Sequence, residues 1–215
     1  MQGGIIYILF LLKGIIFMTN QSIPAFTIFG PPGCGKGTQA ALIKERLGYL
    51  HVSTGDIFRA AIAKNDPNAL KAKELMEKGE LVPDDTIRNM LVPQLKSIID
   101  EATDPKGVIL DGFPRTLGQA AMLEGILNEL ELRFTGCVSL QVNQEELVQR
   151  LLKRAVIEKR ADDTEDIIRE RMRVYQEKTA PLEDYFKDKD QLIAIEGLGE
   201  IDEIFGRLEP IIKGW

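Results

Sequence analysis

Gly30-Pro31-Pro32-Gly33-Cys34-Gly35-Lys36-Gly37-Thr38 stands between an apolar run, Ala25 to Phe29, and a stretch whose apolar residues recur with a helical pattern. Those residues are Ala40, Ala41, Leu42, Ile43 and Leu47, and the pattern stops near Gly48. Strand, glycine-rich turn and helix together make the setting of a phosphate-binding loop. The glycines let backbone N–H groups converge where side chains would collide. The helix N-terminus adds its partial positive charge, and Lys36 adds a full one. The spacing G-x-x-x-x-G-K holds, although Gly37 takes the usual Ser/Thr position and Thr38 follows. A glycine-rich turn beside a surface lysine is the plainer reading, and the flanking strand and helix argue against it. The implication is a site for a nucleoside polyphosphate.

Working outward, Val108–Leu110, Gly136–Gln141 and Leu192–Ile195 read as further buried strands, with a fifth around His51. Amphipathic stripes lie between them: Leu123, Ile126, Leu127 and Leu130; Leu147, Val148, Leu151 and Leu152; Ile201, Ile204, Phe205 and Leu208. Strands alternating with helices predict an α/β fold, a parallel sheet with helices on both faces. The ligand then belongs beyond the C-terminal strand ends, in the loops.

Composition narrows the chemistry. A net charge of -6 argues against a protein that coats nucleic acid or an anionic membrane, so any basic site must be a local cluster of arginines. The two cysteines, Cys34 and Cys137, cannot build a disulfide framework or a four-cysteine zinc site. The one histidine, His51, rules against a histidine-ligated metal centre or a Ser-His-Asp triad, and reads as structural. Residues 1–24 look foreign to the rest. Ile5 to Met18 is apolar but shorter than the roughly 20 residues that span a bilayer. No basic segment precedes it, and no A-x-A-like cleavage site follows. The segment is read as an over-long gene start, with Met18 a candidate initiator, or as a disordered extension, rather than a membrane anchor.

The loops carry three more features. Ser53-Thr54-Gly55-Asp56-Ile57-Phe58-Arg59 begins with a helix cap, and Asp56 suits the first turn. Alone it is an ordinary helix start with a solvated arginine. In Leu110-Asp111-Gly112-Phe113-Pro114-Arg115, the strand ends on an aspartate placed to hold Mg²⁺ through water. Gly112 and Pro114 force a turn that points Arg115 back to the same edge. Arg150 and Arg154 share one helix edge, four residues apart. Asp162, Asp163 and Thr164 start a new helix whose apolar stripe is Ile167, Ile168, Met172 and Tyr175. Arg171 falls on its buried side, while Arg169 and Arg173 point elsewhere. An inward-facing arginine needs an anion, because an unpaired buried charge is costly. Ion pairs with Asp or Glu would satisfy any one of these arginines; for Arg115, Arg160 and Arg171 jointly that is the weaker account.

From Ala25 to about Leu208 the chain resembles the adenylate kinases, of the nucleoside monophosphate kinase family. The resemblance rests on GPPGCGKGTQ (Gly30–Gln39), STGDIFR (Ser53–Arg59), GELVPDD (Gly79–Asp85) and LDGFPRTLGQA (Leu110–Ala120). RLLKR (Arg150–Arg154) and the Arg160-Ala-Asp-Asp segment leading to Arg171 complete it. In this family the phosphate loop reads G-K-G-T, so Gly37 is the residue expected there.

The resemblance implies a phosphotransferase that moves the ATP γ-phosphoryl to AMP. It implies a P-loop core of residues 25–215, an inserted NMP-binding lobe at about 53–82 and a short lid at about 153–163. Gly33, Cys34, Gly35, Lys36, Gly37 and Thr38 would hold the ATP phosphates. Arg150 and Arg154 would meet ATP, and Gly199 would offer its carbonyl to the adenine. Thr54, Arg59, Glu80, Leu81 and Val82 would line the AMP site. Gly112, Phe113, Pro114 and Arg115 would continue it, with Gln119 on the base. Arg160 and Arg171 would bridge the phosphates of both substrates, and Asp111 would organise Mg²⁺. Structural zinc is not expected, because the long lid that sometimes carries it is absent. The implied partners are ATP, AMP and ADP, for a cytoplasmic monomer. One departure stands out: Ala155-Val156-Ile157-Glu158-Lys159 lacks the glycine expected beside Arg160. Two other readings stay open, a UMP/CMP kinase and a non-catalytic nucleotide sensor. A GTPase is disfavoured, since no N-K-x-D-like motif is visible.

Overall fold

The computed structural model describes residues 22–143, 146–151 and 164–215. The readings for the N-terminal extension up to residue 21, for Arg154 and Arg160, for Asp162 and Asp163, and for the lid lie outside the described residues.

Five strands carry the fold: β1 (Ile23–Phe29), β2 (Leu50–Ser53), β3 (Val108–Asp111), β4 (Leu132–Gln141) and β5 (Leu192–Glu196). They form one parallel sheet in the order β2-β3-β1-β4-β5. Helix α1 (Lys36–Leu47) follows β1, and α2 (Thr54–Ala63), α3 (Pro67–Glu77) and α4 (Asp84–Glu101) fill the long crossover from β2 to β3. Helix α5 (Leu117–Glu129) joins β3 to β4. Helix α6 (Glu165–Val174), a π turn (Tyr175–Thr179) and α7 (Pro181–Lys187) precede β5, and α8 (Ile201–Lys213) closes the chain. Strand β1 includes Ile23 and Pro24, which the sequence reading had left in the extension.

The strand pattern of period two explains the layers. Ala25 and Phe29 of β1, Val108 and Leu110 of β3, and Leu132 and Cys137 of β4 face one core, where Leu123, Ile126 and Leu127 of α5 and Leu91 and Leu95 of α4 cover them. Phe26 and Ile28, Ile109, Val138 and Leu140 face the other, against Ile43 of α1 and Phe205 and Leu208 of α8. Both faces of a parallel sheet must be covered, and the near-continuous apolar runs reflect that.

Two features depart from the sequence reading. Strand β4 starts four residues earlier than Gly136 suggested, because Gly136 sits beside a bulge in the pairing with β1 rather than at a strand end. Ile201 does not join the buried stripe of α8; it is 52% exposed at the first turn and lines the cavity described below. Helix ends follow the capping expectations. Ser53 caps α2 by accepting the Asp56 N–H at 3.3 Å, and Gly48 ends α1 with φ 73°. Among the described residues, no helix is long and apolar enough to cross a membrane.

Candidate active site at the C-terminal strand ends

β1 lies between β3 and β4, and its C-terminal end opens into a cavity of about 950 Å³. That is within the range of ordinary ligand pockets. Its floor is the phosphate loop. Gly30 has φ 133°, and a Cβ there would stand 2.6 Å from the Leu140 carbonyl oxygen, so only glycine fits. Gly35 sits at the N-terminal end of α1, where no side chain caps the helix and no acidic residue occupies the first turn. The first N–H groups of α1 are thereby left for an anion. Lys36 folds back over the loop. Its Nζ donates to the carbonyls of Gly30 (2.6 Å) and Pro31 (3.0 Å) and approaches Cys34 Sγ at 3.5 Å. Cys34 is buried and does not line the cavity; its thiol packs beneath the loop.

The neighbouring strand ends supply the next layer. Asp111 ends β3, and its Oδ2 would lie 3.7 Å from a Cβ placed on Gly37, which puts the carboxylate beside the phosphate loop. The same oxygen is 3.2 Å from His51 Nε2 on β2. The Thr54 hydroxyl donates to the Gly112 carbonyl at 2.9 Å, tying the start of α2 to the turn after β3. Beneath that turn, Thr27 of β1 donates to the Phe113 carbonyl at 2.7 Å and is fully buried. Replacing Thr27 with valine should leave that carbonyl without its hydroxyl partner. The expected cost is about 1–3 kcal/mol in urea unfolding.

Arg115 is held at three points. Its Nε donates to the Gly112 carbonyl at 2.9 Å, its N–H donates to Gln119 Oε1 at 2.7 Å, and its own carbonyl accepts the Thr179 hydroxyl at 2.8 Å. Burial pushes the guanidinium below its ordinary pKa, and the charges of Arg171 and Arg59 push the same way against a favourable pull from Asp111. Three arginines thus gather on one side of the cavity. Arg59 is paired with Asp56 at 2.6 Å. Arg171 lies on α6, near Gly79 and the segment Glu80–Val82, which lines the same space.

On the other flank, Arg150 lies in helical residues 146–151. Its Nε donates to Glu146 at 2.9 Å and its Nη1 to the Gly197 carbonyl at 3.3 Å. Gly199 lines the cavity, on a loop whose carbonyls at Glu196 and Leu198 are held by Arg207. Gln39 of α1 reaches the same region, donating to the Ile201 carbonyl at 2.9 Å.

A family model described as adenylate kinase matches residues 28–191. The chain belongs to the adenylate kinase family. Among curated relatives, the adenylate kinase of Rhodococcus erythropolis is 44% identical over 180 residues, covering 84% of this chain and 94% of that protein. Those of Parabacteroides distasonis (44% over 186 residues) and Thermus thermophilus (43% over 188 residues) cover 86% and 87% of this chain, and 96% of each relative. The five-stranded parallel sheet with helices around it is the α/β architecture that the resemblance to adenylate kinases implied.

Most residues that the adenylate kinase resemblance singled out line this cavity, among them Gly33, Lys36, Thr38, Thr54, Arg59, Val82, Asp111, Pro114, Arg115, Arg150, Arg171 and Gly199. Phe113 is different, with its side chain packed in the core. Gln119 is fully buried and outside the lining, its Nε2 donating to Asp84 at 2.8 Å. The sequence reading missed His51, which it took as structural and which instead stands in the cavity wall against Asp111. Strand periodicity was the available signal, since His51 shares the strand face of Ser53. Asp84 and Thr179 were also missed. Asp84 lay within a quoted motif, but its partner Gln119 is 35 positions away.

Proposed function

We propose that this chain catalyses reversible transfer of the γ-phosphoryl group of ATP to AMP, giving two ADP. The observation that carries the reading is one cavity with two anion-binding ends. The phosphate loop and Lys36 form one, and Arg59, Arg115 and Arg171 form the other. An oxygen of the AMP phosphate attacks the γ-phosphorus, and the bond from that phosphorus to the oxygen bridging it to the β-phosphate breaks. AMP phosphate is already a nucleophile near neutral pH, so no general base is needed. The protein's task is in-line positioning and neutralisation of charge as the phosphoryl crosses.

In this reading Gly33–Thr38 cradle the ATP phosphates, while Arg150 and the Gly199 carbonyl take the base. Arg115 holds the AMP phosphate in a planar fork that suits phosphate better than a lysine does. Thr54, Arg59, Gly112, Pro114 and Glu80–Val82 frame the nucleoside. Gln119 lies behind the cavity wall, bonded to Asp84 and to the Arg115 N–H, and its contact with the adenine is assigned by resemblance. Arg154 and Arg160 are assigned here by resemblance.

Among the described residues, no three His, Cys, Asp or Glu side chains gather into a metal cluster. A lone Asp111 beside the phosphate loop fits Mg²⁺ all the same, because that ion keeps several waters and is held through one or two carboxylates and substrate phosphates. When bound, Mg²⁺ offsets charge on the phosphoryl oxygens. By the same resemblance we assign a monomer, in the cytoplasm with the free nucleotide pool.

The test is a coupled assay of ADP formation from ATP with AMP, CMP, UMP or GMP, with and without Mg²⁺. ADP should form with AMP far faster than with the other acceptors, and only with Mg²⁺. A preference for UMP or CMP would transfer the chain to the pyrimidine branch. Nucleotide binding without turnover would make it a sensor.

A further inference from the structure

We propose that Thr179 is a positioning residue for the AMP phosphate clamp, and that the π turn Tyr175–Thr179 is what brings it there. The inference rests on the reading above, in which Arg115 and Arg171 bind phosphate.

The geometry starts from the helix. In the π turn the Ala180 N–H donates to the Tyr175 carbonyl five residues back, at 2.8 Å. One extra residue is accommodated per such turn, a feature often found at functional sites. Arg171 and Thr179 are eight positions apart. On a continuous α-helix that spacing offsets two side chains by about 80°. With one residue absorbed by the π turn, eight positions behave as seven, close to two whole turns. Thr179 therefore comes up on the side that carries Arg171, and both line the cavity.

The hydroxyl is then spent at long range. Thr179 does not serve as the cap of α7, whose flanking residue is Ala180 and which has no side-chain cap. Its Oγ1 donates at 2.8 Å to the carbonyl of Arg115, 64 positions earlier, and Thr179 is only 8% exposed. The contact closes a frame. Gln119 holds the N–H of Arg115, Thr179 holds its carbonyl, and Gly112 holds its Nε. With Nε committed, the guanidinium edge bearing Nη1 and Nη2 remains for an anion. Holding the Arg115 backbone from both sides fixes where its guanidinium starts, as a preorganised donor requires. The π turn thus fixes Arg115 relative to Arg171, one clamp residue held by the turn that continues the helix carrying the other.

The test compares Thr179→Val, which removes the hydroxyl at nearly constant volume, with Thr179→Ser, which keeps it. Calorimetric dissociation constants for AMP and for ATP, steady-state kinetics and Tm are measured on both and on the wild type. We expect Thr179→Val to weaken AMP by roughly 3- to 10-fold, the weight of one neutral hydrogen bond. ATP affinity should stay within about twofold, and Thr179→Ser should restore AMP binding. Equal weakening of both nucleotides, or wild-type AMP binding by Thr179→Val, would overturn the inference and leave the functional reading standing. A wild type that binds no AMP would overturn both. If Thr179→Val fails to fold, Thr179→Ala against Thr179→Ser gives the same comparison.

Discussion

Replacing Lys36 with methionine should lower kcat by roughly 10²- to 10³-fold, the scale on which removing one preorganised donor acts in other enzymes. The ATP KM should change far less. The ammonium sits at the mouth of α1, bonded to two carbonyls of its own loop at 2.6 and 3.0 Å. In the proposed reaction those bonds hold a full positive charge on the path of the transferred group, and they would be exchanged for phosphoryl oxygens as charge develops. Ground-state binding draws on many backbone N–H groups as well, so one lysine contributes little to it. Methionine keeps most of the stem, so the fold should survive, although Gly30 is buried and its carbonyl loses a partner. Single-turnover kinetics with AMP in excess isolate the chemical step. A kcat within tenfold of wild type would show that Lys36 only shapes the loop.

Arg115→Met is expected to weaken AMP by roughly 30- to 4,000-fold. That corresponds to the about 2–5 kcal/mol lost when one partner of a buried charged pair is truncated. ATP binding should hold, since the phosphate loop lies at the other end of the cavity. Stability should move the opposite way or stay level. The guanidinium is desolvated in the cavity wall, which together with the charges of Arg171 and Arg59 outweighs the favourable pull of Asp111 and disfavours its charged form. Methionine fills most of the same space without the charge. Isothermal titration with each nucleotide, alongside a thermal melt, separates the two effects. Selective loss of ATP affinity would mean that the two nucleotide sites have been assigned the wrong way round.

Much of this was readable from residues alone, for reasons that differ by element. The strands of the sheet are short apolar runs because both faces are covered, so they stood out without any alternation to find. The phosphate loop was legible because its glycines, lysine and flanking elements are contiguous. Arg171 could be placed on the buried side because the helix around it has a regular period. The opposite holds for Gln119, Asp84 and Thr179. Their partners are 35 and 64 positions away, and no local pattern encodes such pairings. The π turn hid Thr179 in a further way, since a register computed at 3.6 residues per turn turns its side chain away from the cavity. Gly136 misled by its type: a glycine that marks a bulge looks, in sequence, like one that ends a strand.

Strand β1 is hydrogen-bonded on both sides, and its residues from Ala25 to Phe29 are at most 4% exposed. Its amides should accordingly be among the slowest in the chain to trade hydrogen for deuterium, opening only when the whole molecule unfolds. The glycine-rich bend proposed to receive the triphosphate springs directly from this strand. A strand paired on both sides and sealed from water thus serves as the mounting for the chemistry, and whatever moves during turnover should move around it.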